Sequence, residues 1–305
     1  MNPKNKTQKE VQRTFIIGDP WLYFKFYTGP KTADVALTEM IKPVTEKLLS
    51  QKIIDLWFFI RYSDPKLHIR VRFHFNDPRF IANIVREINS YSKPFIKENL
   101  IWKVQTDTYQ REIERYGSPT MELSEQLFFH DSNMIVQMLD LIEGDEGEQI
   151  RWMFSLRAID GMLDDFKFNM TQKLDLVTVL RDGFGQEFGS NRNMRKQLEQ
   201  KYRKNRPEIN FILDHFNDQT SEIKPLLDLI SQKSTAIQGI TTDILALTQG
   251  EQSEKQLNDL MGSYLHMMVN RLFKTKQRLH EMVLYDFLCR YYKSEIAKKK
   301  YIKNP

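Results

Sequence analysis

The chain has 305 residues, of which 41% are hydrophobic and 28% charged; that is enough apolar material for a substantial core. It holds no apolar run long enough for a membrane helix, and its N-terminus, MNPKNKTQKEVQR, has no apolar stretch of the secretory type. A net charge of +5 fits an acidic partner or nucleic acid without singling out either, and part of the excess lies in that arm and in the tail KSEIAKKKYIKNP.

The single cysteine, Cys289, cannot close an internal disulfide. Its place in the helical pattern LYDFLCRYY predicts a buried structural role. With no signal and no disulfide, the expected compartment is the cytoplasm.

The first third alternates strand and helix patterns. Residues 21–27 (WLYFKFY) are aromatic strand formers that end at the turn Thr28-Gly29-Pro30. Helical periodicity covers 33–50, and 53–62 (IIDLWFFIRY) reads as a strand apolar on both faces. After the turn SDPK, residues 67–75 alternate strictly and should pair with the preceding strand as a hairpin. A helix starting near Pro78 and ending near Ser90, then a strand over 100–108, complete a β-α-β-β-α-β order. That order predicts a ferredoxin-like four-stranded antiparallel sheet.

From Ser118 onward the pattern is helical, over 120–143, 148–167, 171–182, 191–202, 206–216, 221–247 and 253–292, with the last span divided near Lys274 and Gly262 a possible break. The expected fold is α+β, a single unit with an α/β half at 14–118 and a large helical half at 119–298 packed on the sheet. Residues 1–13 and 299–305 read as flexible ends.

No phosphate-binding loop, dinucleotide fingerprint, HExxH or GxSxG occurs, and the histidines show no metal-ligand spacing, so the sequence calls for no cofactor and no metal. Three clusters stand out. Alternation over 67–75 puts Leu67, Ile69, Val71, Phe73 and Phe75 on a core face and His68, Arg70, Arg72 and His74 on the other. That second face is either solvated or an anion site, with Arg61 close by, because guanidinium forks grip carboxylates. The second cluster, YQREIERYG, sets Arg111 and Arg115 four residues apart and reads alone as a charged turn. In the third, SYLHMMVNRLF, His266 and Asn270 share a helix face; His266 is either a core histidine or a proton carrier, and Asn270 could fix its ring in both cases.

In this order, WFFIRYSDPKLHIRVRF, YQREIERYG and SYLHMMVNRLF, with EQLFFHDS between the last two, resemble the C-terminal elimination domain of lantibiotic dehydratases. The same domain occurs in stand-alone thiopeptide-type bacteriocin biosynthesis proteins. The resemblance runs from residue 21 to about 292; Ser118 departs from it where a second glycine often follows RYG. It implies a lyase that expels glutamate from glutamylated Ser or Thr of a ribosomal precursor peptide, leaving dehydroalanine or dehydrobutyrine. The implied partners are that peptide and a separate glutamyl-tRNA-dependent glutamylating protein. No direct tRNA binding is required, and a homodimer is plausible by analogy.

Matched by position, the resemblance implies Arg72, Arg115 and His266 as catalytic, the arginines binding the leaving glutamate or the developing enolate and His266 moving the proton. Arg70, Arg61, His68 and Asn270 become substrate-binding candidates. A pyridine synthase of the same fold, a non-catalytic binder of the precursor peptide and a plain nucleic-acid binder are the alternatives.

Overall fold

The computed structural model of the protein describes residues 11–142, 146–188, 192–214, 223–249 and 253–303. Strands β2 (Trp21–Thr28), β3 (Leu56–Ser63), β4 (Leu67–His74) and β5 (Ile101–Asp107) form one antiparallel sheet in the order β3-β4-β2-β5. Two short strands that the alternation does not reveal, β1 (Thr14–Phe15) and β6 (Tyr109–Gln110), pair with each other. Strand β1 thus ties down the chain directly after the expected flexible arm, whose residues 1–10 lie outside the described residues.

Helices α1 (Pro30–Ala36) and α2 (Lys42–Ser50) are joined without a break by a π-helical turn over Leu37–Ile41. A short turn at Pro78–Phe80, capped by Asp77, leads into α3 (Ile81–Lys97). The expected end near Ser90 is wrong by almost two turns: Ile84, Ile88, Ser92 and Phe95 continue one buried stripe, and Pro94 is accommodated inside the helix. These helices bury Ala33, Ala36, Met40, Val44 and Leu48, and the sheet face of Phe24, Phe26, Ile69, Val71 and Phe73 is buried with them in one core.

A single turn, α4 (Ile113–Tyr116), precedes the long helices α5 (Met121–Leu141), α6 (Glu146–Asp165), α7 (Met170–Phe188) and α8 (Arg192–Asp214). Helices α9 (Lys224–Ala236), α10 (Gln238–Leu247), α11 (Ser253–Leu272) and α12 (Gln277–Lys303) follow. Helix α7 runs on through Gly183, past the expected helix end at 182. Helix α8 joins two expected helices through Pro207, because Leu198, Tyr202, Ile209 and Ile212 form one continuous buried stripe. The expected helix over 221–247 is broken at Ile237, whose ψ of 2° departs from helical geometry. Residues 215–222, on which two expected helix ends and His215 fall, lie outside the described residues. Gly262 does not interrupt α11, and the division near Lys274 is where the chain turns into α12. Cys289 is fully buried beside Thr178. No described helix is long and apolar enough to cross a membrane.

The two halves meet along edge strand β3, against which α5 and α11 pack. A sheet edge exposes unpaired backbone groups that need partners when buried. Here side chains supply them. Ser132 Oγ accepts from Phe59 N–H (3.2 Å), Arg271 Nε donates to the Phe59 carbonyl (2.8 Å), and the Asn270 amide both accepts from and donates to the Arg61 backbone (2.9 Å each).

Candidate active site

Strand β4 is paired on both sides, which sets Arg72 across from Tyr23 and Phe58, and His68 across from Tyr27 and Tyr62. The face expected to be open is largely covered. His68 is fully buried and Arg72 is only 7% exposed. The cover comes from β6, which the alternation of the main strands does not reveal: Tyr109 packs on Trp21 and Phe58. The Arg72 guanidinium lies 4.5 Å from the Tyr23 ring centre and 4.7 Å from that of Tyr109. Its Nε has no acceptor, and no ion-pair partner is found for it among the described residues. Aromatic faces offset part of the cost of this desolvated cation, but less than a carboxylate would.

His68 is a support for Arg70. Because an arginine Nε–H can only donate, His68 Nε2 accepts from it (3.0 Å), and Nδ1–H donates to the Lys66 carbonyl (2.8 Å). Burial and then the neighbouring Arg70 push the imidazolium form down, only partly opposed by the Lys66 carbonyl. The fully buried His68 therefore cannot touch a substrate as drawn from sequence. Arg70 lies half-buried, its guanidinium 3.5 Å from the Tyr62 ring centre. His74 is a half-buried neighbour held by Asp55 at 2.5 Å.

Arg61 and Asn270 also change meaning. Arg61 is buried, donating to Asp34 (2.6 Å) and to the Arg271 carbonyl (2.9 Å). Asp34 also receives Arg151 (2.7 Å). Burial alone would raise the Asp34 carboxyl, but Arg61 and Arg151 outweigh it and hold it below the usual aspartate range. Asn270 spends both amide atoms on the β3 edge, so it does not orient His266. In the second cluster Arg111 is structural as well: its guanidinium grips buried Glu125 with two bonds of 2.6 and 2.8 Å, and Glu125 accepts a third from the Tyr109 hydroxyl (2.7 Å).

Two of the catalytic candidates do come together. Arg115, on α4, and His266, on α11, line one groove of about 350 Å³ with Ser263, Asp259, Arg278 and the α7 side chains Leu176, Val179 and Leu180. Arg115 is 38% exposed, with a loose pair to Glu112 at 3.2 Å. Gly117, at φ 75°, ends α4 in the left-handed region, so the chain turns sharply beyond Arg115. His266 and Arg278 also line a second cavity, of about 390 Å³, with Lys274, Lys276 and the Arg61 wall. His266 thus stands between two cavities. Arg72 lines neither; a chain of ring contacts through Phe58, Phe128 and Tyr116 connects it to Arg115.

What fixes His266 is Glu281, a residue the sequence reading missed. Glu281 Oε1 lies 2.8 Å from His266 Nδ1, with the carboxylate 1% exposed and the imidazole 26% exposed. Arg278 donates to the other Glu281 oxygen at 3.2 Å and also pairs with Glu187. A carboxylate at Nδ1 holds the proton there and leaves Nε2 as the basic nitrogen. A signal did exist: Glu281 stands at the head of the apolar stripe of Leu284, Leu288 and Tyr292, and a buried acid at such a position needs a partner.

Residues 21–292 match the family model described as lantibiotic biosynthesis dehydratase C-term. The chain belongs to that family. Among its relatives is the subtilin biosynthesis protein SpaB of Bacillus subtilis, 24% identical over 277 residues, which cover 90% of this chain and 25% of SpaB. The chain thus spans about a quarter of that relative. In fold, this family member resembles the tRNA dependent lantibiotic dehydratase MibB from Microbispora sp. 107891, with a TM-score of 0.71 at 21% identity over 93% of this chain and 29% of MibB. It also resembles TbtD, a pyridine synthase from thiomuracin biosynthesis, with a TM-score of 0.59 at 12% identity over 91% of this chain and 99% of TbtD.

Proposed function

We propose that the protein is a lyase that eliminates glutamate from glutamylated Ser or Thr of a ribosomal precursor peptide, acting with a separate tRNA-dependent glutamylating protein. The observation that carries the reading is the Glu281-oriented His266 in a groove that also holds Arg115 and Arg278. His266 Nε2 takes the Cα proton. The electron pair of the Cα–H bond becomes the Cα=Cβ double bond, and the Cβ–O bond breaks with its pair going to the departing carboxylate. A carboxylate leaves without a strong acid because its pKa is near 4, and Arg115 binds it as charge develops.

Arg72 enters the proposal differently from the sequence reading. It lines neither cavity that holds His266, so it is assigned an anion contact separate from that of Arg115. It remains a desolvated cation without an ion-pair partner among the described residues, which is the condition in which an anion would be most strongly bound. Arg70, flat on Tyr62, is its neighbour on the same strand face. Buried Arg61 and His68, and the half-buried Asn270 bonded to the β3 edge, act through the scaffold instead of through substrate.

The β-α-β-β-α-β order and strand order support reading the sheet half as ferredoxin-like, with the helical half packed on its β3 edge. Pyridine synthesis is the second reading, favoured by the resemblance to TbtD along nearly its whole length. The buried acid behind His266 favours proton transfer over a purely peptide-binding role.

The test is to incubate the protein with a glutamylated precursor peptide, without tRNA or ATP, and follow peptide mass. A product one water lighter than the unmodified peptide supports elimination. Return to the unmodified mass, or no change, contradicts it.

A further inference from the structure

Val179 is 69% exposed, more than any other large apolar side chain among the described residues, and it stands on the rim of the groove that holds His266 and Arg115. It is not isolated. Leu176 lies one helical turn before it on α7 (i−3), Leu180 follows it directly and lies one turn beyond Leu176, and both line the same groove. Their exposure is graded: Leu176 is buried, Leu180 half-buried, and Val179 open. Across the groove, α11 contributes Asp259, Gly262, Ser263 and His266. A side chain at position 262 would place its Cβ 3.2 Å from Leu180 Cδ2, so α7 and α11 are closely packed at this glycine. The result is a groove with His266 on its α11 wall and, on α7, the apolar side chains Leu176, Val179 and Leu180 beside the carboxylate of Asp175.

We propose that this α7 wall reads the peptide: it takes an apolar side chain adjacent to the esterified Ser or Thr, with Val179 as the specificity contact. The inference deepens the elimination reading and rests on it. The occupant follows from the geometry, because a peptide whose reacting Cα faces His266 must lay a neighbouring residue along the opposite wall. The groove volume of about 350 Å³ is at the small end of ligand sites, which suits a short peptide segment more than a folded partner. Burying Val179 against an apolar neighbour removes exposed hydrocarbon from water, whereas glycine leaves it wet and an acidic residue loses hydration against it.

The test uses the full chain and two sets of peptides, each with Leu, Gly or Asp on either side of the modified residue. One set carries the glutamyl ester; the other carries a glutamyl amide on diaminopropionate, which binds but cannot eliminate. Wild type is expected to favour Leu over Gly on the order of ten-fold, mainly in KM and in amide binding. Val179→Ser and Val179→Asp are expected to bring that ratio to about one, while Val85→Ser, an exposed apolar residue on α3, leaves it unchanged. Equal binding of Leu and Gly amides by wild type, or an undiminished preference in both Val179 variants, overturns the proposal. Tighter Leu-amide binding that depends on Val179, with no ester eliminated, keeps the peptide-reading groove and removes the elimination reading.

Discussion

His266 and Glu281 are 15 residues apart in the chain and meet at 2.8 Å across the turn between α11 and α12. One face of that contact is a fully buried carboxylate; the other is an imidazole open to two cavities. The pair separates a group that positions from a group that can react.

Replacing Glu281 by Gln keeps the hydrogen-bonding shape and removes the charge. Elimination should fall roughly 10- to 100-fold in kcat with little change in KM, because the loss is felt as the proton moves. Circular dichroism and Tm of the variant check that the fold persists. A wild-type kcat in Glu281→Gln contradicts the assignment.

Arg115→Ala should accumulate the glutamyl ester when the peptide is co-expressed with its glutamylating protein, and His266→Ala should do the same. The expected loss is roughly 100-fold or more for each. Arg72→Ala separates two roles: ester accumulation with an unchanged Tm marks an anion-binding residue, and a lowered Tm with normal turnover marks a packing one. Mass spectrometry of the isolated peptide reads the first quantity directly.

Asp34 predicts the acid limb of stability. Its carboxyl is held below the ordinary aspartate value of 3.8, so the folded state binds its proton less readily than the unfolded chain does. The associated stability is therefore full above about pH 4 and is lost as pH falls through the lower, folded value. Asp34→Asn should remove that limb and, by leaving Arg61 and Arg151 buried with one neutral partner, destabilise the protein by about 3 kcal/mol at neutral pH. Urea unfolding at pH 3, 4 and 7 measures both.

Asn270→Ala should act on the fold and not on the proton. It uncovers the Arg61 N–H and carbonyl at the buried β3 edge, for a cost of roughly 1–3 kcal/mol. Thermal unfolding should show the loss, while turnover per folded molecule stays close to wild type. A turnover defect with unchanged Tm would return Asn270 to the substrate side.

The strands and their alternation were legible because a period of two is set by local geometry and survives any tertiary context. Helix junctions were harder. Gly183 and Pro207 signal breaks locally, yet the buried stripes through Leu176–Phe184 and Leu198–Ile212 carry the helices past them. Within the site, the motifs singled out Arg115 and His266, and the fold brings them to one groove. They also singled out Arg61, Asn270 and Arg111, which the fold uses to bury β3 and to hold α5. Motif spacing alone does not distinguish a residue that touches substrate from one that satisfies a buried strand. Glu281 was not legible from spacing, since its partner lies across a turn. The cover over Arg72 was not legible either, because it depends on residues 109–110 pairing with 14–15.

The most direct measurement of the central claim follows a single proton. A precursor peptide carrying a glutamyl ester on Cα-deuterated serine is incubated with the protein and examined by mass spectrometry. The account predicts a dehydroalanine product that has lost both glutamate and the deuterium, and an unchanged ester with His266→Ala. Serine recovered with its deuterium intact would show hydrolysis and contradict the account.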